Sequence, residues 1–336
     1  MSEEKILLAH GSGGKLSYDL IKQIFLPQFL NPFLEPLDDS AKITNRQGSI
    51  AFTTDSYVVN PIFFPGGDIG KLAVFGTVND LSMIGATPSY LSLSLIIEEG
   101  FPIELLKKVI SSIQEAAEQA KVSIVTGDTK VVEHKAADQL FINTAGIGWV
   151  RPNIHLSGIN AKPGDQILLS GYIGDHEIAI LSQREGFKFQ EMVKSDCAPL
   201  NDLTGRMLDT CPSIRCMRDP TRGGLATTLN EIASKSNVGI VIDEKKVPIR
   251  ESVKGICELL GLDPLYLANE GKLIAICPPN EEEHLLDVMR GHPLGRDAEI
   301  IGRVTDENRK RVILHTLIGG HRILDMLTGG QCPRIC

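Results

Sequence analysis

"TTDSYVV" at residues 53–59 and "TGDTKVV" at 126–132 follow one pattern and align without gaps. Each sets an aspartate in a Thr-x-Asp-Ser/Thr turn just ahead of a Val-Val strand. Aspartate is a poor strand residue. Its appearance twice in β-rich sequence suggests that the carboxylates of Asp55 and Asp128 are wanted where they stand. The strands around them then carry a site as well as a sheet.

Outward from these strands the pattern is an alternation. "SIAFTTDSYVV" (49–59) is β-rich and runs into the turn "NPIFFPGGD". Asp68 can cap a helix in which Leu72, Phe75, Val78 and Met83 recur at helical spacing until "GATP" stops it. "SYLSLSLII" (89–97) alternates as a strand, and "IELLKKVISSIQEAAEQA" (103–120) is an amphipathic helix. "VSIVTGDTKVV" (122–132) and "LFINTAGIGWV" (140–150) read as strands. Arg151 to Gly164, rich in Pro, Gly and Asn, marks a domain boundary. Beyond it "DQILLSG", "VGIVIDEKKV" and "GKLIAICPP" read as strands. "HEIAILSQRE", "TRGGLATTLNEIASKS" (221–236) and "RESVKGICELLG" read as helices, the second entered through a loop and the third closed by Gly261. The expectation is an α/β (α+β) chain with domains at 1–151 and 152–320, then a flexible tail, 321–336, where regular structure thins out.

Composition agrees with an enzyme. The 336 residues suffice for two domains with their own cores, and 42% hydrophobic with 23% charged residues is ordinary globular usage. Aromatics are only 5% while glycines number 32, which disfavours a base-stacking platform. A net charge of −8 argues against a large basic patch, so nucleic acid is not an expected partner. No apolar run approaches the roughly 20 residues of a membrane span. The start "MSEEKILLAHGSGGK" shows no export signal, and the seven cysteines lie far apart, so the cytoplasm is the expected compartment.

Two further acids share the style of the first two: Asp80 in "GTVNDLSM" and Asp219 in "RDPTRGG". All four sit in or beside apolar elements. Facing one cavity they would repel each other unless a cation lay between them. Mg²⁺ is often held by one or two carboxylates together with phosphates. Three glycine-rich pieces, "HGSGGK" (10–15), "FPGGD" (64–68) and "DPTRGG" (219–224), can crowd amides around phosphate, and the last enters a helix. None is a standard signature. A P-loop ending at Gly14-Lys15 needs glycine where Ala9 stands, and a dinucleotide fingerprint from Gly11 needs glycine at Leu16. The bland alternatives are capping aspartates and empty turns.

"HGSGGK", "TTDSYVV", "FFPGGDIGKLAVFGTVNDLSM", "IIEEG", "VTGDTKVV", "RDPTRGGLA", "LANEGKL" and the terminal "PRIC" together resemble the HypE family of hydrogenase maturation factors. The likeness spans nearly the whole chain in order. More distantly the chain is similar to selenophosphate synthetase and aminoimidazole ribonucleotide synthetase. The resemblance implies a two-domain aminoimidazole ribonucleotide synthetase-like architecture, with N-terminal sheets pairing across a homodimer and a C-terminal α/β sandwich. It implies that Cys336 receives a carbamoyl group from the carbamoyltransferase HypF. ATP is then used to dehydrate the thiocarbamate to a thiocyanate, and cyanide passes to iron on a HypC–HypD complex. It nominates Asp55, Asp80 and Asp219, with Asp128 as a fourth, as Mg²⁺–ATP ligands. Thr221, Arg222, Gly223, Gly224, Gly13, Gly14 and Lys15 join as nucleotide-binding residues, and Lys130 and Glu270 stand near the reacting group. Cys332 stands where an aliphatic residue is expected and adds a second thiol to the tail.

The chemistry explains why a chain would end on a thiol. A thiocarbamate loses oxide poorly, and phosphorylating its oxygen makes the leaving group phosphate. An amide proton must also go, so the site needs a phosphoryl donor, metal ions and a base. Glu270 is the first candidate base and Lys130 can polarise the oxygen, though these roles could be exchanged. The cysteine must visit a donor, an ATP site and an acceptor. A flexible tail of 16 residues from His321 has a reach of roughly 20–25 Å. Arg334 can partly offset the α-carboxylate beside the thiol, and Pro333 stiffens the tip. A prenylation box needs cysteine where Pro333 stands, and a zinc site would need Cys211 and Cys216 to join Cys332 and Cys336 from afar. Two rivals remain. A selenophosphate-type synthetase normally has a reactive cysteine near the N-terminus, which "HGSGGK" lacks. A metal-carrying scaffold would bind metal through its tail thiols.

Overall fold

The computed structural model describes residues 4–12, 14–35, 37, 40–44, 48–186, 192–326 and 335. The strands β1 (Ile50–Tyr57), β2 (Ala86–Glu98), β3 (Ser123–Val132) and β4 (Leu140–Val150) form one sheet in the order β1-β4-β2-β3. β4 is antiparallel to both neighbours, whereas β2 and β3 are parallel. A parallel pair needs a crossover, and helix α2 (Ile103–Ala120) supplies it. Helix α1 (Ile69–Met83) is buried on nearly every side, as its apolar sequence requires. Asp68 caps it by accepting from Gly70 N at 2.8 Å and Lys71 N at 3.1 Å, while its second oxygen accepts from Ser112 of α2 at 2.6 Å. Gly70 is required there, because a Cβ would stand 2.9 Å from Val109 O of α2.

The second sheet has seven strands: β5 (Gln166–Leu169), β6 (Cys216–Arg218), β7 (Gly239–Asp243), β8 (Ile274–Cys277), β9 (Glu299–Thr305), β10 (Val312–His315) and β11 (His321–Leu324). Their order is β11-β10-β7-β9-β5-β8-β6, and β10 with β7 is the parallel pair. Helices cover both faces. Ile167, Leu169, Ile274 and Ile276 pack with Leu225 and Leu229 of α5 (Gly224–Ser236). Leu168, Ala275 and Cys277 face Leu203 and Met207 of α4 (Asn201–Thr210) and Leu285 and Met289 of α7 (Glu282–Arg290). Strands buried on both faces read as continuous apolar runs, as "QILL" and "IAIC" do. Helices α3 (Asp175–Arg184) and α6 (Glu251–Leu260) pack against each other through Ile178, Val253 and Ile256. The stretch 151–165 contains neither helix nor strand.

A free tail beginning at His321 is corrected by the structure. Residues 321–324 pair antiparallel with β10, in a hairpin closed by Thr316 N to Gly320 O at 2.9 Å. Leu324 is fully buried, and its carbonyl accepts from Asn230 Nδ2 at 2.8 Å. Tyr266 OH then holds the carbonyl of Asp325 at 2.9 Å. The cause is hydrophobic: Leu324 fills the edge of the core formed by Val312, Leu314 and α5. Cys332 and Cys336 lie outside the described residues.

One buried amide joins the domains. Asn79 on α1, 1% exposed, donates from Nδ2 to Ala198 O at 3.1 Å and Glu270 O at 3.3 Å. Its Oδ1 accepts from Leu200 N at 2.8 Å. Replacing Asn79 by Ala strands three buried backbone groups, each costing on the order of 1–3 kcal/mol when unpaired. A loss of about 2–4 kcal/mol of stability is expected for Asn79→Ala. The check is the urea midpoint at unchanged denaturant slope.

Candidate active site between the domains

A cavity of about 450 Å³ lies between the two domains, and Asp55, Asp80, Arg218, Asp219, Thr221, Arg222 and Glu270 all line it. Period-two alternation turns Thr53 and Asp55 of β1 to one face, and Thr53 Oγ1 donates to Asp80 Oδ2 at 2.9 Å. Arg222 Nη2 reaches Asp55 Oδ1 at 3.1 Å, and Arg218 pairs with Glu231 at 3.1 Å. Behind Thr221 and Arg222, Gly223 and Gly224 open α5 with φ of +65° and +59°. Gly224 admits no side chain, since a Cβ would come within 2.6 Å of Leu267 O. Glu270 is 4% exposed. Its backbone is fixed twice: N donates to Asp196 Oδ1 at 3.0 Å and O accepts from Asn79. Asp196 in turn stands 3.3 Å from Lys272 Nζ.

Putting acids together with so little water changes their protonation. Burial pushes Glu270 well above the carboxylate range, and the charges of Asp196, Asp219, Asp55 and Asp80 add to it. Burial, then the charge of Asp80, raises Asp219 to about 7. Asp80 is also raised by burial, against the hydrogen bond from Thr53. Among the described residues no three of His, Cys, Asp and Glu converge closely enough to hold a metal ion unaided.

The structure does not bring every nominated residue here. Asp128 and Lys130 line a second, largely apolar cavity of about 550 Å³ with His10, Gly11 and Thr129. Lys130 Nζ is 3.7 Å from Asp128 Oδ2, and both side chains are largely exposed. A shared four-aspartate cluster within one chain is therefore corrected. β1 and β3 are the two edges of their sheet, about 14 Å apart at three strand spacings. Gly14 and Lys15 are exposed at the start of the helical turn Lys15–Leu20 and line neither cavity; Gly13 lies outside the described residues. Residues that sequence reasoning passed over include Asn79, Asp196, His176 and Ser195. Only Asn79 carried a signal, its place beside Asp80 in "VND"; His176 read as an ordinary polar residue at a helix start, and Ser195 and Asp196 sit in a stretch without periodicity.

Known proteins share this arrangement. Residues 37–150 match the AIR synthase related protein, N-terminal domain, and 162–315 match the AIR synthase related protein, C-terminal domain. The chain is thus a two-domain AIR synthase related protein. Carbamoyl dehydratase HypE of Azotobacter vinelandii is 52% identical over 329 residues, spanning 98% of this chain and 96% of that one. A crystal structure of HypE in complex with ATP matches with a TM-score of 0.95 at 52% identity, over 98% of this chain and 99% of that one. A HypE–HypF complex matches with a TM-score of 0.81 at 50% identity, over 92% and 99% respectively. This chain belongs to the HypE carbamoyl dehydratase family.

The raised pKa of Asp219 has a definite sign. In the unfolded chain it ionises near 4, in the folded one near 7. Its ionised form therefore opposes folding increasingly as pH rises between those values, and fully above about 7. Carboxyl-carbon NMR should show a midpoint near 7 for Asp219 in the ligand-free protein. Asp219→Asn should raise the melting temperature more at pH 8 than at pH 5; equal shifts would contradict the assignment.

Proposed function

We propose that this chain uses ATP to dehydrate a carbamoyl group, carried as a thiocarbamate on Cys336, to a thiocyanate, supplying cyanide to iron for nickel–iron hydrogenase maturation. The observation that carries this reading is the convergence of Asp55, Asp80, Asp219 and Glu270 on one interdomain cavity, in a chain 52% identical to a carbamoyl dehydratase. The balance is Cys–S–C(=O)–NH₂ plus ATP giving Cys–S–C≡N, ADP and phosphate. The carbonyl oxygen leaves as part of the phosphate, and the nitrogen gives up both protons.

The donor set suits Mg²⁺. Asp55, Asp80 and Asp219 offer hard oxygens, and their mutual repulsion favours a cation between them. An ion there would be held by one or two of these carboxylates together with phosphates. Bound there, magnesium neutralises phosphate charge. Thr221, Arg222, Gly223 and Gly224, at the N-terminus of α5, supply donors and a favourable dipole for phosphate oxygens.

Glu270 is the proton acceptor. Neutralising Asp55, Asp80 and Asp219 removes three of the charges that hold it protonated, leaving a carboxylate of raised basicity on the cavity wall. Lys130 and Asp128 act from a second copy. The sheet face opposite α1 and α2 is uncovered, with Phe52 at 70%, Ile50 at 56% and Ile96 at 43% exposure, and Phe52 also lines the acidic cavity. Two such faces packed together make a homodimer and bring other side chains to the cavity mouth. HypF, seen in complex with a relative, is the carbamoyl donor, and a HypC–HypD iron complex is the acceptor. No helix among the described residues is long and apolar enough to cross a membrane. The carrier thiol must remain reduced and ATP must be at hand, which places the reaction in the cytoplasm.

Intact-mass spectrometry tests the reading. Carbamoylation by the donor enzyme should add one carbamoyl group at Cys336, and ATP should then remove one water. A chain lacking Cys336 should accept nothing, and its dehydration would overturn the proposal. Glu270→Gln should bind ATP within about threefold of the parent yet lose on the order of 10²–10⁴ in dehydration rate. Full turnover by that variant would refute the base assignment.

A further inference from the structure

At the seam between the domains a fully buried histidine holds the far end of the chain. His176, the second residue of α3, is 0% exposed. Its Nε2 lies 3.0 Å from the carbonyl oxygen of Ile335, and its Nδ1 lies 2.8 Å from Ser195 Oγ. Ile335 is itself 5% exposed and belongs to the same cluster as Phe64, Ile180 and Ala268, drawn from both domains. The Phe64 ring stands edge-on to the imidazole at 5.6 Å between centroids.

The partners fix the tautomer. A carbonyl only accepts, so Nε2 carries the hydrogen. Ser195 Oγ already accepts from Cys197 N at 3.0 Å, which leaves its own hydrogen to donate to Nδ1. Ser195 N is anchored to Pro65 O at 2.8 Å. Burial disfavours the imidazolium and lowers the pKa of His176, outweighing the charge of Asp196 and the Ile335 carbonyl. The ring is therefore neutral, with each nitrogen assigned to one partner.

This ring does more than satisfy a core. One of its two partners is the penultimate residue of the sequence, next to Cys336. The other is Ser195, whose neighbour Asp196 accepts from the backbone N of Glu270 at 3.0 Å. Tail end and acid-lined cavity thus hang on two adjacent residues of one segment. We propose that His176 is the positioning residue that seats the C-terminal end for reaction, by donating from Nε2 to the Ile335 carbonyl, with Ser195 setting its tautomer. The proposal rests on the reading that Cys336 carries the thiocarbamate.

The experiment uses full-length protein with two readouts. The first is the single-turnover rate of water loss from carbamoylated protein on adding ATP and magnesium, normalised to the loaded fraction. The second is the rate at which iodoacetamide alkylates the unloaded cysteine after Ile335, resolved from other thiols by peptide mass. His176→Leu removes the donor at similar volume, whereas His176→Gln keeps an amide donor near the place of Nε2. His176→Leu should dehydrate about tenfold more slowly, the worth of one buried hydrogen bond. Calorimetric nucleotide affinity should stay unchanged, and alkylation should be about twofold faster, because a seat whose energetic terms nearly cancel is already open about half the time. His176→Gln should recover most of both. Wild-type rates in His176→Leu would overturn the proposal. So would a His176→Gln variant that melts like the parent yet behaves as His176→Leu. If wild-type protein never loses water while the alkylation differences hold, the dehydratase reading falls and the seat stands.

Discussion

The side chain of Asn79 is the constraint on which the rest of the molecule depends. An amide buried to 1% exposure must spend its donors and acceptor inside the protein. Here all three bonds go to backbone of the other domain, at residues 198, 200 and 270. The next residue along α1 is Asp80. The distance between one cavity carboxylate and Glu270 is thus set by a single helical position. Apolar contacts reinforce the join in both directions: Met83 enters the core of the C-terminal domain, while Ile180 and Ala268 enter that of the N-terminal one.

Such a join is needed because the cavity would otherwise push itself apart. Five carboxyl groups, those of Asp55, Asp80, Asp219, Glu231 and Glu270, share about 450 Å³ with Arg218 and Arg222 as the cations among the described residues of the wall. Arg218 is already committed to Glu231 and Arg222 to Asp55. The cheapest response for the ligand-free protein is to keep protons on Asp219 and Glu270, and both are shifted in that direction. A site held in this state releases protons as cations enter. Its electrostatic strain is therefore directed at a ligand rather than scattered over the surface.

Much of this was legible in the sequence, for reasons that differ by residue. Asp55, Asp80 and Asp219 betrayed themselves as acids embedded in apolar elements, a costly placement with no local explanation. The helices from Asp68 and over 103–120 were legible because their apolar spacing was clear and one had a capping aspartate. Asp128 does not join the other three within one chain, because a repeated motif reports strand chemistry, not spatial convergence, and its strand lies at the opposite sheet edge. The last strand was hidden by the flanking glycine pairs. Its stability comes from Leu324 and Asn230, which are 94 residues apart in sequence and carry no periodic signal. His176 looked like any polar residue at a helix start, because its partners are supplied from 195 and 335.

The energetics of the Ile335 seat suit a group that must come and go. Burying an isoleucine side chain is worth about 1.5–3 kcal/mol, and one buried hydrogen bond adds about 0.5–1.5. Ordering even two residues of chain end costs about 2–4 kcal/mol of backbone entropy. These terms nearly cancel. A seat with more contacts would hold the cargo near the acids and hinder its transfer. A seat with fewer would leave the reacting group unregistered to Glu270, and orientation is where an intramolecular reaction gains most. A single imidazole, clamped by a serine into one tautomer, supplies direction without tight affinity.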